Sequence, residues 1–133
     1  MNYSRIVLFS ISIYFLLVLA STIATLTVGA GDATQNTSFL VTLEVLGFII
    51  SLLVYVYLAY KQAAKTYQHA FYVFLLFWII NLGSSWLMNI FLDIPLLALA
   101  FLLPFLLSVI AVLLGTVLGV QLRQKLSNGV TAI

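Results

Sequence analysis

Four long stretches of apolar residues, broken only by scattered Ser, Thr, Gly, Asn and one Glu, alternate along this chain with short polar links. A helix crosses the hydrocarbon core of a bilayer with about 20 predominantly apolar residues. The pattern predicts four such helices, over about 6–28, 38–60, 70–91 and 96–121. The first link, 29–37 (GAGDATQNT), is rich in the residues that turns favour. The second, 61–69 (KQAAKTYQH), is polar but contains no helix breaker. The third, 92–95, is a tight turn with Pro95 in the first turn of the fourth helix, where its missing N–H costs nothing. Residues 122–133 (LRQKLSNGVTAI) are expected to fray as a short cytoplasmic tail. No internal repeat relates the two halves. The expectation is one domain over 1–133, an all-α membrane protein built as a four-transmembrane-helix antiparallel bundle.

Composition strengthens this reading. The 133 residues are 65% hydrophobic and 6% charged, against roughly 45–50% and about 25% in soluble domains. A soluble fold would lack the polar residues to cover its surface. The apolar run after Arg5 is too long for a signal-peptide core and no A-x-A-like site follows it cleanly, so it reads as a retained first helix.

Charge gives the orientation. All five basic residues, Arg5, Lys61, Lys65, Arg123 and Lys125, fall on one side of the four-span arrangement. The positive-inside rule makes that side cytoplasmic, with both termini inside. A bacterial cytoplasmic (inner) membrane is the default location for so compact a chain. Tyr60, Tyr67 and Tyr72 suit the cytoplasmic aromatic belt and Trp86 the outer one. Lys61, Lys65 and His69, spaced by four, share a face if the second helix continues past the membrane surface. They read as anchors for anionic headgroups or as a strip for a cytoplasmic partner. Asn36–Thr37–Ser38 matches a glycosylation acceptor but lies too close to the membrane for modification.

Several chemistries are excluded by the residues present. Cysteine is absent, which removes disulfides, thiolate catalysis and Cys-based metal sites. A single histidine, His69, cannot build a His-ligated metal centre. No phosphate-binding Gly-rich loop, HExxH or nucleophile elbow occurs. His69 is separated from Asp32 and Asp93 by about 30 Å of hydrocarbon in the four-span arrangement, so no triad forms. The chain is expected to be non-enzymatic, without cofactor or metal, and a net charge of +2 gives no reason to expect nucleic acid.

Polar residues within the spans tend to face protein, because exposure to lipid is expensive. At 1.5 Å rise per residue, Glu44 lies roughly 9 Å below the outer end of the second helix. Ser21 and Thr22 reach the same level on the first helix, as do Ser84 and Ser85 on the third, with Thr25 and Asn89 nearer the surface. Ser51, Asn81 and Ser108 form a deeper layer. Helical spacing groups Ser10, Tyr14, Ser21 and Thr25, then Glu44, Gly47, Ser51 and Tyr55, and finally Asn81, Ser85 and Asn89. These stripes are expected to face the bundle interior, with Glu44 meeting the hydroxyls. Glu44 reads either as a structural acid or as a proton, cation or counter-ion site; Asn81 reads as interhelical glue or as part of a pathway. Ala111, Gly115 and Gly119 give the fourth helix a small-residue face for close approach to another helix, inside the chain or beyond it. Pro104 should kink the same helix.

Two functions stand ahead of a sensor role signalling through residues 61–69. The leading one is an accessory, assembly or interaction subunit that binds another membrane protein, or itself, through helix packing. The other is a small homo-oligomeric transporter or channel with Glu44 as its coupling or ligand-binding residue.

Overall fold

The computed structural model describes residues 3–29, 37–92 and 98–130. Described regular structure is entirely helical: α1 (Tyr3–Val28), α2 (Thr37–Lys61), α3 (Thr66–Leu92) and α4 (Ala98–Val130). All four are long and apolar enough to cross a membrane. Asp32, Asn36, Asp93 and Pro95 lie outside the described residues.

The helix ends follow local chemistry. Gly29 takes a φ of 96°, a left-handed conformation open to glycine, and its N–H donates to Thr25 O at 2.9 Å, which terminates α1. The α2–α3 link contains no Gly or Pro, yet the helix breaks after Lys61, and Lys65 adopts φ 53°. Lys61, Lys65 and His69 therefore do not share one helical face: Lys61 ends α2, Lys65 sits in the link, and His69 is buried on α3. The residues after Gln121, expected to fray, instead continue α4 to Val130. Leu122, Arg123, Gln124, Lys125 and Leu126 are all strong helix formers, and Arg123 is tied to the end of α2.

α2 and α4 make the closest pairing, and glycines permit it. A methyl group on Gly115 would lie 2.7 Å from Tyr55 Cβ and 2.9 Å from Leu52 O. One on Gly119 would lie 2.6 Å from Ala59 Cβ and would collide with the Val56 carbonyl. Ala111, fully buried, continues this face. The small-residue surface of α4 is thus occupied by α2 of the same chain.

Packing is uneven along the helices. The buried residues are Ile6, Ser10 and Ile13 on α1, positions between Ser51 and Ala59 on α2, between Thr66 and Trp78 on α3, and between Ala111 and Gly119 on α4. No described residue is buried in 14–28, 37–50, 79–91 or 101–110. One half of the molecule is closed and the other splays. An apolar solvent makes this tolerable, since lipid and core are equally favourable surroundings for Leu or Ile.

Hydrogen bonds reinforce the closed half. Ser10 Oγ lies 2.8 Å from Ile6 O and 3.1 Å from Val73 O, bridging α1 to α3. Gln62 gathers all four helices. Arg5 Nη1 donates to its Oε1 at 3.3 Å, and Thr66 Oγ1 donates to its carbonyl at 2.6 Å. The Arg123 guanidinium donates to the same carbonyl and, at 3.1 Å, to Ala59 O. A cation over the last carbonyls of α2 suits the negative end of the helix dipole. Lys61 Nζ rests 5.9 Å from the Tyr57 ring centroid and 5.8 Å from that of Tyr60.

Candidate intramembrane binding site

Where the closed half gives way to the splayed half, the helices line a half-open cavity of about 360 Å³. Each helix supplies part of its wall: Tyr14 and Ser21 from α1, Glu44, Gly47 and Ser51 from α2, Trp78, Asn81 and Ser85 from α3, and Pro104 and Ser108 from α4. Gly47 keeps the wall low, its nearest neighbour to an added Cβ being Leu17 Cδ2 at 3.5 Å.

The site residues read from the sequence divide. Ser21, Glu44, Asn81 and Ser85 line this one cavity, together with the deeper Ser51 and Ser108. Thr22 does not: it is exposed, with its hydroxyl donating to Val18 O at 2.7 Å. Adjacent helical residues are turned about 100° apart, so Ser21 and Thr22 cannot both face inward. Ser84 is likewise outside the wall, donating to Ile80 O at 2.9 Å.

The hydroxyls do not reach Glu44. Ser21 donates to Val18 O at 3.0 Å, Ser85 to Asn81 O at 2.9 Å and Ser108 to Phe105 O at 2.8 Å. Each hydroxyl proton returns to a carbonyl of its own helix, the cheapest way to satisfy Ser in an apolar medium. Their oxygen lone pairs remain on the wall. The carboxyl of Glu44, half-buried, forms no hydrogen bond or ion pair with the other described residues.

Trp78 is the residue that spacing missed. Its Nε1–H donates to Ser108 Oγ at 2.8 Å, joining α3 to α4 at the closed end of the cavity. Its ring meets Phe105 edge-on at 5.2 Å and Phe77 at 5.9 Å. The available signal was the indole N–H itself, which requires an acceptor when buried, with Ser108 at matching depth.

The remaining sequence candidates lie apart from the cavity. Gly115 and Gly119 face α2 and Ala111 is buried one turn before them, while Arg5, Lys61, Lys65 and Arg123 belong to the closed end and Lys125 to the end of α4. Among the described residues no three His, Cys, Asp or Glu side chains come together as a metal site. The chain matches no protein-family model, no curated protein and no solved structure.

Proposed function

We propose that this chain is a small, non-enzymatic integral membrane protein that binds a small molecule in the cavity around Glu44, as the binding unit of a transporter. The observation that carries the reading is the cavity itself. Its 360 Å³ falls in the range of small-molecule sites, roughly 300–1,000 Å³. Its wall also combines apolar surface with a few convergent polar groups, the usual composition of such a site.

Topology forms part of the same proposal. Four spans joined by short links run antiparallel. This brings Arg5, Lys61, Lys65, Arg123 and Lys125 to one side, which is cytoplasmic by the positive-inside rule. The Arg5–Gln62–Arg123 hydrogen bonds support a shared location for these ends. In this arrangement the closed half points to the cytoplasm of a bacterial cell and the splayed half outward. An open channel does not fit, because glycine-mediated packing of α2 on α4 blocks the inner half. Transport therefore requires that contact to part, or a second copy of the chain to complete the path.

An accessory-subunit role finds less support, because the Ala111–Gly115–Gly119 face is already taken by α2. Reconstitution into nanodiscs separates the two readings. Screening small amphiphiles by thermal shift should find a ligand that stabilises the wild type saturably. Gly47→Leu, which fills the cavity, should lose that response. No saturable ligand, combined with a distinct membrane protein co-extracted in fixed ratio from the native membrane, would instead favour the accessory role.

A further inference from the structure

The charge and polarity of the cavity wall specify a class of ligand, on the premise that the cavity is a binding site. Among the described residues, Glu44 contributes the only formal charge on that wall. No Lys, Arg or His lines it, and Glu44 is not paired with another described residue. A charge in a low-dielectric setting is costly without a counter-charge. A carboxyl here carries either a proton or a cation partner, and no described side chain supplies that cation.

Ser21, Ser85 and Ser108 give their protons to their own helices, and the Trp78 N–H is committed to Ser108. Among the described residues, the wall's remaining hydrogen-bond donors are the Asn81 amide and the Tyr14 and Ser51 hydroxyls, all neutral. With the Glu44 carboxylate on the wall and no described basic side chain beside it, the cavity disfavours an anion. Tyr14, Phe48, Phe77, Trp78 and Phe101 bring aromatic rings from all four helices. Ring faces carry partial negative charge and attract cations, most strongly those of Trp, when water is excluded.

A metal ion does not suit these groups. Calcium takes six to eight oxygens and magnesium a near-ideal octahedron, whereas one carboxylate and scattered serines stand here among apolar side chains. An ammonium needs no fixed coordination number, and its carbon substituents match the rest of the wall.

We infer that the Glu44 cavity binds an organic monocation, an ammonium or quaternary ammonium carried on a compact apolar or aromatic body. The carboxylate supplies the counter-charge and the rings surround the cationic carbons. A volume of about 360 Å³ accommodates a body of one or two rings.

The test uses the full chain in nanodiscs, with radiolabelled benzyltrimethylammonium in equilibrium dialysis and empty nanodiscs subtracted. Neopentylbenzene, in which carbon replaces the charged nitrogen, is the uncharged competitor. The wild type should show one saturable site per chain. Glu44→Gln should weaken it roughly tenfold or more, a loss of about one ion-pair contact, while Glu44→Asp retains most of the affinity. Trp78→Leu should weaken binding roughly threefold to thirtyfold through the lost ring face. Circular dichroism and thermal midpoints confirm that each variant is folded. If Glu44→Gln binds like the wild type, or neopentylbenzene competes as well as the unlabelled cation, the cation assignment is overturned and the binding cavity stands. If neither probe binds saturably to the folded wild type, both fall.

Discussion

Trp78 and Ser108 are joined by an N–H···O hydrogen bond of 2.8 Å that crosses from α3 to α4 at the closed end of the cavity. Ser108 accepts this bond while donating its own proton to Phe105 O at 2.8 Å, so the hydroxyl both gives and receives. Removing either partner has unequal consequences. Trp78→Phe keeps an aromatic ring and leaves Ser108 bonded within its helix. Ser108→Ala leaves a buried indole N–H without an acceptor, the costlier change. A double-mutant cycle by thermal or denaturant unfolding in micelles should give a coupling of about 0.5–2 kcal/mol. A coupling indistinguishable from zero would show that the bond adds nothing to the α3–α4 contact.

Glycine positions on α4 should be far less tolerant than glycine on α3. Gly115→Ala and Gly119→Ala each force a methyl group into α2, at 2.7 Å from Tyr55 Cβ and 2.6 Å from Ala59 Cβ respectively. Backbone shift or separation of the helices should cost about 1–3 kcal/mol for each. Gly83 has nothing within 4 Å of the corresponding site. Gly83→Ala should change stability by less than about 1 kcal/mol, in the stabilising direction that helix propensity favours. Thermal midpoints in one detergent rank the three variants. Equal tolerance at all three positions would contradict the close α2–α4 approach.

Tyr55 is fully buried, and its Oη has no hydrogen-bond partner among the described residues. An unpaired hydroxyl in an apolar core costs free energy. Tyr55→Phe removes that oxygen and preserves the ring. Unfolding experiments should show no loss, or a gain of up to about 1 kcal/mol. A loss beyond that would mean the hydroxyl is hydrogen-bonded in the membrane-embedded protein.

The sequence revealed the helices more readily than their packing, and the reason is physical. Length and hydropathy alone delimit a span, and spacing alone groups Ser21, Glu44, Asn81 and Ser85 on inward stripes. Nothing in an apolar pattern tells a lipid-facing Leu from a core Leu, so the closed half around Ile13, Tyr55 and Val73 and the splayed half around Leu26 and Phe91 look alike. The polar stretch 61–69 marks the α2–α3 link, but with no Gly or Pro in it nothing local fixes where the helix ends. It ends at Lys61, and Arg5 and Arg123 bond to Gln62 just beyond. The Arg123 bonds to Ala59 O and Gln62 O tie the segment beyond Gln121 to the end of α2, and α4 continues to Val130 where a frayed tail was expected. Thr22 was misplaced for a simpler reason: depth was matched, but its direction around the helix was not.

Orientation can be tested without background labelling, because the chain contains no cysteine and each introduced thiol is the sole target. Ala63→Cys and Ser127→Cys replace exposed residues at the α2–α3 link and near the end of α4. Asp32→Cys places a thiol in the first link. Positive charge is retained near membranes on the cytoplasmic side, so 63 and 127 should be shielded from a membrane-impermeant maleimide in spheroplasts and react only after permeabilisation. Position 32 should react in intact spheroplasts. An even number of crossings between 63 and 127 requires those two to agree with each other whatever the absolute orientation. Disagreement between them would refute the four-span topology, whereas agreement with all three responses reversed would refute only the cytoplasmic placement of the basic end.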